Sequence, residues 1–294
     1  MEQTETSQYH LQNITAIKSI MNMDVTCYLA NLAIYGIDCA YYKTSLDLSG
    51  YEMELTIPRN KIKEGVAELN IKNVPEEDIE RLKSIIYCLA DLFSFSTTAQ
   101  VRFCWIKYGN TGMSMGKSGV PARSKIFDTP SCIKYFVEKC WNTYIELREK
   151  RELKVVIEML VSIDLVNLPI ESKLSIVFIL LENLKHTYAK DKGYPFIGTC
   201  FYRDSSKKES LGFKKLLEEM FKECGINDDL TNVVNLRNDI IHQGLSEIPF
   251  EEQKNILLFC RELIIEYFIR LVGCAGMFSS FEEIPGRKFR RKSC

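Results

Sequence analysis

The sequence predicts an α+β protein in which a mixed α/β domain precedes a bundle of helices. Two observations support this prediction. Roughly the first 125 residues contain short alternating runs rich in Tyr, Val, Ile and Thr, which is the pattern of half-buried strands. After Asp128 the apolar residues instead recur every three to four positions, as they do on amphipathic helices. We therefore expect a mixed domain at 1–127, a helical domain at 128–275 and a basic tail at 276–294.

Glycines separate the predicted strands of the first domain. A helix is expected at Pro75–Phe93, because the three acidic residues after Pro75 suit a helix N-terminus. Gly109–Ser124 holds four glycines and a proline without an apolar period, and is expected to form a long loop. The runs expected to form strands are Asp24–Tyr42, Tyr51–Ile57 and Gln100–Tyr108, with a strand pair, or a strand and a turn, at Lys61–Val74.

The helical domain begins with a clear start signal. Thr129 is a good N-cap, and Pro130 suits the first helical position. Between two of the later helices, Gly193–Ser206 is expected to form an aromatic loop. The expected helices lie at about 130–149, 151–163, 170–190, 209–224, 229–243 and 249–272.

Composition excludes several classes of protein. A formal net charge of −1 means that any contact with nucleic acid needs a local basic patch. The 11 cysteines include no C-x-x-C pair, which argues against a zinc ribbon or a disulfide framework, and we expect reduced cysteines, no metal and no cofactor. The N-terminus lacks the features of a signal peptide, and Glu266 and Arg270 interrupt the longest apolar stretch, so we expect a soluble, cytoplasmic protein.

The segment GMSMGKSG is similar to a phosphate-binding P-loop but does not match it. Thr111 stands where the first glycine of the motif belongs. The residues Gly119-Val120-Pro121 also oppose the helix whose N-terminus would hold the phosphate. The sequence therefore argues against nucleotide hydrolysis here.

The most informative segment is Asp228–Gly244, which is predicted to be a helix. On a helical wheel Arg237 falls near the middle of a broad apolar arc, while Asn238 and His242 lie together at its edge. A guanidinium directed at a core is either paired in a salt bridge or faces a crevice that binds an anion. The residues of the arc are Leu230, Val233, Val234, Leu236, Ile240 and Ile241.

Both readings of Arg237 remain open on the residues alone. A guanidinium suits phosphate, and a histidine can move a proton at neutral pH, so the two fit RNA cleavage by attack of the 2′-OH. Arg and His are also favoured near helix C-termini by the helix dipole. In addition, residues five apart on a straight helix point about 140° apart, so Arg237 and His242 would not converge unless the last turn distorts or a second copy of the chain supplies the partner.

The run Arg237-Asn238-Asp239-Ile240-Ile241-His242 resembles the R-x4-H motif of the HEPN superfamily. The helical surroundings, over about residues 130–273, resemble the Apea-like branch found in bacterial abortive-infection and antiphage proteins. The resemblance implies a metal-independent endoribonuclease that acts as a homodimer and leaves 2′,3′-cyclic phosphate ends. It implies that Arg237 binds the scissile phosphate, that His242 is the acid or base and that Asn238 orients one of them. Some members of the superfamily bind RNA without cleaving it.

Further residues are expected to support this site. Glu182 lies on a mostly apolar helix and needs a partner, either Arg237 or His186 one turn away. Basic residues that could contact RNA, or equally form a solvated surface, are Lys207, Lys208, Lys214 and Lys215, and in the tail Arg287, Arg290 and Arg291.

Three functions remain open on the sequence. The first is a ribonuclease effector of an antiphage or toxin-like kind, whose N-terminal domain senses a trigger or binds a regulatory or antitoxin-like partner. The second is a non-catalytic dimeric HEPN module that binds RNA or assembles a defence or toxin–antitoxin complex. The third is an unrelated helical protein in which Arg237 forms a structural ion pair.

Overall fold

A computed structural model describes residues 22–32, 41–58, 66–109, 111–114, 126–127, 129–164, 168–243 and 248–275. The side chains at positions 111, 113, 114, 242 and 243 lie outside this description. The described chain forms an antiparallel sheet followed by helices, so the predicted α+β class is confirmed at this level.

The N-terminal sheet has six strands in the order β2-β3-β4-β1-β5-β6, and the registered pairs are antiparallel. Alternate residues are buried, as on β1, where Val25, Cys27 and Leu29 face the core. The strands are β1 (Asn22–Ala30), β2 (Tyr41–Leu48), β3 (Tyr51–Pro58), β4 (Ala67–Pro75), β5 (Arg102–Tyr108) and β6 (Thr111–Ser114).

One prediction about the first domain needs correction. The segment Gly109–Ser124, expected to form a loop, contains the strand β6, while residues 110 and 115–124 lie outside the described residues. The two ends of the run Asp24–Tyr42 belong to β1 and β2, and residues 33–40 between them lie outside the described residues. Strand β6 was missed because its order comes from pairing with β5, where Gly112 lies opposite Lys107. Glycine is rare in strands, so the local pattern favours a loop.

The seven helices of the described chain lie close to the predicted positions. The helix expected at Pro75–Phe93 starts after a short 3₁₀ turn and runs on to Thr97, because the hydroxyls of Ser94, Ser96 and Thr97 bond to carbonyls one turn back. The helices are α1 (Ile79–Thr97), α2 (Pro130–Leu147), α3 (Leu153–Ile163), α4 (Ile170–Asp191), α5 (Phe213–Glu223), α6 (Thr231–Gln243) and α7 (Phe250–Leu271).

The prediction of an aromatic loop at Gly193–Ser206 is wrong in part. This segment contains two strands of a small sheet, β7 (Phe196–Ile197) and β8 (Cys200–Tyr202), and β9 (Ser210–Leu211) completes it. Helix α5 consequently starts at Phe213, later than predicted, because Ser210 and Leu211 pair with β8.

Helix α1 contacts both the sheet, through β5, and the helices α2 and α3. The ring of Phe95 stacks on Phe268 of α7 at 4.2 Å and on Phe136 of α2 at 5.5 Å. Asp91 accepts hydrogen bonds from Tyr144 and Arg148. The two predicted domains therefore share one apolar core, and the boundary at 127/128 stays a prediction. Within the described residues, none of the helices has the length and hydropathy needed to span a bilayer.

Candidate functional site

Helix α6 presents the residues singled out by the sequence, and a local cap fixes its start. The carboxylate of Asp229 accepts hydrogen bonds from the backbone N–H (2.9 Å) and the hydroxyl (2.6 Å) of Thr231. The first helical residue is therefore Thr231, two residues later than predicted. The apolar face of α6 is also narrower than expected: Ile241 is 46% exposed, Val234 is half-buried, and the buried residues are Leu230, Val233, Leu236 and Ile240.

Arg237 forms an ion pair with Glu182. Its Nη2 lies 2.7 Å from Glu182 Oε1, and its Nη1 donates to Asn238 Oδ1 at 2.9 Å. The side chains of Arg237 and Glu182 are 22% and 32% exposed, so the pair lies at the rim of the core. Of the two partners considered for Glu182, Arg237 is the one that it contacts.

Two residues that the sequence analysis did not select complete this cluster. The guanidinium of Arg237 lies over the Phe213 ring at 4.9 Å, and Lys185 Nζ lies over the same ring at 5.3 Å. Lys185 Nζ is also 2.5 Å from Glu182 Oε2. The spacing of Glu182 and Lys185, one helical turn apart, is a sequence signal for that pair. The contact with Phe213 depends on tertiary packing and has no such signal.

The cluster of Arg237, Lys185, Glu182 and Phe213 has an excess of positive charge. Two cations share one carboxylate, and the aromatic face adds partial negative charge without a formal anion. Arg237 Nε is buried and has no hydrogen-bond partner in the described part of the chain, which costs about 1–3 kcal/mol. Such a cluster can attract a phosphate, and a guanidinium that turned toward one could satisfy this donor.

His242 lies near the C-terminal end of α6. Its backbone belongs to α6, one turn after Asn238, while its side chain lies outside the described residues. Asn238 itself is exposed. On a straight α-helix, positions 237 and 242 lie about 140° apart around the helix axis.

His186 packs against aromatic rings instead of pairing with Glu182. It makes edge contacts with Phe201 at 5.2 Å and with Phe196 at 6.1 Å between ring centroids. Burial, and then the nearby charges of Lys190 and Lys185, lower the pKa of His186 below its usual range. This histidine is therefore neutral at neutral pH and anchors the small sheet to α4.

The candidate RNA-contacting lysines fall into two groups. Lys207 and Lys208 are exposed before β9 and take part in none of the ion pairs among the described residues. Lys214 Nζ instead donates to Thr231 Oγ1 at 2.9 Å, and Lys215 Nζ lies 2.5 Å from Glu209 Oε1. The predicted tail contacts lie outside the described residues; they are Arg287, Arg290 and Arg291.

Comparisons with known proteins found no match for this chain. No protein-family model matches the chain, and neither the curated proteins nor the solved structures include a match. Within the described residues, no group of three or more His, Cys, Asp or Glu side chains is arranged to hold a metal ion. The functional assignment therefore depends on the residues of the Arg237 cluster and on the R-x4-H run.

Proposed function

We propose that the chain is a metal-independent endoribonuclease of the HEPN type, with Arg237 and His242 in its active site. The observation that supports this most is the position of Arg237. Its guanidinium lies at the rim of the core beside a second cation and is held over an aromatic ring. The R-x4-H run that begins with this residue resembles the HEPN motif.

The proposed reaction is attack of a ribose 2′-OH on the neighbouring phosphodiester. The imidazole of His242 accepts the 2′-OH proton, and the 2′-oxygen forms a bond to phosphorus. The bond from phosphorus to the 5′-oxygen breaks, and that oxygen takes up a proton from solvent. Arg237, with Lys185 nearby, stabilises the extra negative charge of the phosphorane. The products are a 2′,3′-cyclic phosphate and a 5′-hydroxyl.

Glu182 has a positioning role in this proposal. It holds Arg237 and Lys185 beside the Phe213 ring and restricts their rotamers. Because one carboxylate neutralises only one of two cations, the cluster keeps a positive charge for the phosphate. Asn238, which accepts a hydrogen bond from Arg237, orients the guanidinium from the other side.

The proposal includes a homodimer, in which the two groups that act on one phosphate come from different chains. The angle of about 140° between Arg237 and His242 on a straight helix separates them. A two-fold axis next to α6 would place His242 of one chain near Arg237 of the other. Exposed groups on α6, including Asn238 and the 46% exposed Ile241, are available for such a contact.

The experiment that tests the reaction is end-group analysis of cleaved RNA in the presence of EDTA. The proposal predicts 2′,3′-cyclic phosphate and 5′-hydroxyl ends, and no cleavage of an oligonucleotide with 2′-deoxy sugars throughout. Products with 3′-hydroxyl ends, or cleavage of the deoxy oligonucleotide, would contradict attack by the 2′-OH.

A second candidate function is a dimeric module that binds RNA without cutting it. The ion pair with Glu182 favours this candidate, since a guanidinium already paired has less freedom to follow the charge of a transition state. One result distinguishes the two functions: the non-catalytic module binds RNA through Arg237 but leaves the RNA intact.

A further inference from the structure

One face of the N-terminal sheet presents an aromatic patch to solvent. Val25, Cys27 and Leu29 of β1 face the core, so the residues between them point to the opposite face. On β5, Ile106 is buried, whereas Trp105 is 44% exposed. The aromatic patch consists of Tyr28, Trp105, Thr26, Lys107 and Lys72.

The two rings of the aromatic patch support each other. Tyr28 and Trp105 lie opposite each other on β1 and β5, with ring centroids 5.5 Å apart and planes inclined by 31°. A Cβ atom at Gly112 would lie 3.0 Å from Trp105 Nε1, so the indole rests against the backbone of β6. The absence of a side chain at this position lets the ring lie on the sheet.

One lysine lies beside this ring pair, and a second lies farther along the sheet. Lys107 is opposite Thr26, in the row next to Tyr28 and Trp105, and Lys72 follows on β4 beyond Asn70. Both lysines are exposed and enter none of the ion pairs among the described residues. Thr26 is fixed by a hydrogen bond to Asn70 of 2.7 Å.

The rest of this sheet face carries paired or acidic side chains in place of unpaired lysines. On β2 and β3, Lys43 is paired with Glu54, and Glu52 is also exposed. The carboxylate closest in register to the ring pair is Glu68, opposite Tyr28 on β4. The tilted ring pair and the two lysines therefore lie on β1, β5 and the end of β4. A second exposed carboxylate, Asp24 of β1, accepts a hydrogen bond from the backbone N–H of Asn73, next to Lys72.

We propose that the aromatic patch binds single-stranded RNA, with unpaired bases stacked on Trp105 and Tyr28 and phosphates held by Lys107 and Lys72. Every base has a π-face, so such a platform binds single strands with little sequence preference. The lysines match the charge of the backbone. The choice of RNA as ligand rests on the proposed function, whereas the geometry of the patch does not depend on it.

The test is fluorescence anisotropy with a labelled oligouridine about 12 nucleotides long. The full chain with His242→Ala is used as the background, so that cleavage does not interfere. We expect Trp105→Ala to weaken binding by about tenfold, the loss typical of one stacked base. The matched control is Tyr135→Ala, which removes a 53% exposed ring on α2 and is expected to leave binding unchanged.

Two further variants test the proposal if Trp105→Ala is poorly folded. Lys107→Gln is expected to weaken binding and to reduce its salt dependence by about one unit of slope. Glu68→Gln removes the carboxylate opposite Tyr28 and is expected to tighten binding. The patch also predicts that an RNA duplex of the same length binds more weakly than the single strand, since its bases are not available for stacking.

Unchanged binding in a folded Trp105→Ala or Lys107→Gln protein would overturn the proposal, as would equal binding of duplex and single strand. A Trp105→Ala protein that binds RNA normally but changes its oligomeric state would assign the patch to a second copy of the chain instead. The proposed function is tested separately by cleavage. If RNA stays intact but binding depends on Trp105, the ribonuclease proposal fails and the patch proposal stands.

Discussion

The Nη2 atom of Arg237 lies 2.7 Å from Oε1 of Glu182, and this ion pair joins α6 to α4 at the rim of the helical core. An ion pair with 22% and 32% exposed side chains has a limited effect on stability, because solvent screens it. The free energy of this pair alone therefore does not explain why an arginine occupies this position. In the proposed function, the arginine at this position binds an anion.

A double-mutant cycle measures what the ion pair contributes to folding. We expect Arg237→Gln, Glu182→Gln and the double variant to give a coupling energy of about 1 kcal/mol or less in chemical denaturation. The reason is that both groups remain partly hydrated in the folded chain. A coupling of several kcal/mol would identify the pair as a structural element of a buried core. It would favour an unrelated helical protein in which Arg237 forms a structural ion pair.

Mixed dimers test the shared active site. If His242 of one chain acts with Arg237 of the other, a mixture of Arg237→Ala and His242→Ala proteins contains hybrid dimers with one intact site. An equimolar mixture is then expected to recover about a quarter of wild-type activity after subunit exchange. Each protein alone serves as the control. A mixture as inactive as its components would indicate that each site is formed within one chain.

Replacement of Lys207 and Lys208 tests whether RNA binds to the surface that precedes β9. Both are exposed, so replacement of both by glutamine is expected to leave the melting temperature unchanged. RNA binding is expected to weaken for all sequences, and the slope of log K against log salt to fall by about two units. Lys214→Gln is the matched control, because Lys214 is already bonded to Thr231. Equal effects of both variants would contradict a specific path at Lys207 and Lys208.

Glu219 predicts a pH dependence of stability. Burial raises the pKa of Glu219, but hydrogen bonds from Arg203 and Tyr194 outweigh burial and hold this pKa below the usual value. The stabilisation is therefore present above the unfolded-state pKa of about 4.3 and is lost as the pH falls through the lower folded-state pKa. The difference in unfolding free energy between wild type and Glu219→Gln is expected to be largest near neutral pH and to shrink in acid.

A neighbouring glutamate gives the control for this pH series. Glu218 is on the solvent side of α5 and has only a long ion pair of 3.6 Å with Lys214 among the described residues. Subtraction of the Glu218→Gln series removes the general effect of losing one surface carboxylate. A Glu219→Gln difference that is constant with pH after this subtraction would contradict the depressed pKa.

The sequence predicted elements that local chemistry determines. Thr129 does cap α2, with its hydroxyl accepting from the Cys132 N–H, as the Thr-Pro signal indicated. Strands β6 to β9 were missed because runs of two to four residues acquire their order from cross-strand partners distant in sequence. The extension of α1 to Thr97 was missed because hydroxyl residues favour helix ends unless their side chains bond inside the helix.

At the candidate site, too, the local sequence predicts some features and tertiary packing determines others. The position of Arg237 follows from the helical periodicity of α6. The need of a half-buried carboxylate for a partner made Arg237 one of two candidate partners of Glu182, and tertiary packing decides between them. The Phe213 ring could not be predicted, since it reaches Arg237 only through the packing of α5 against α4 and α6. Contacts of this kind depend on tertiary structure, which periodicity does not encode.

The most direct test of the central claim is an RNA-cleavage assay on the purified chain in EDTA, with wild type beside His242→Ala and Arg237→Ala. His186→Gln is the matched control, because His186 packs against aromatic rings away from the proposed chemistry. The account predicts cleavage by wild type and by the control, and at least a hundredfold loss in both site variants, with melting temperatures that show all four proteins folded. Intact RNA with every protein, or equal cleavage by wild type and His242→Ala, would contradict it.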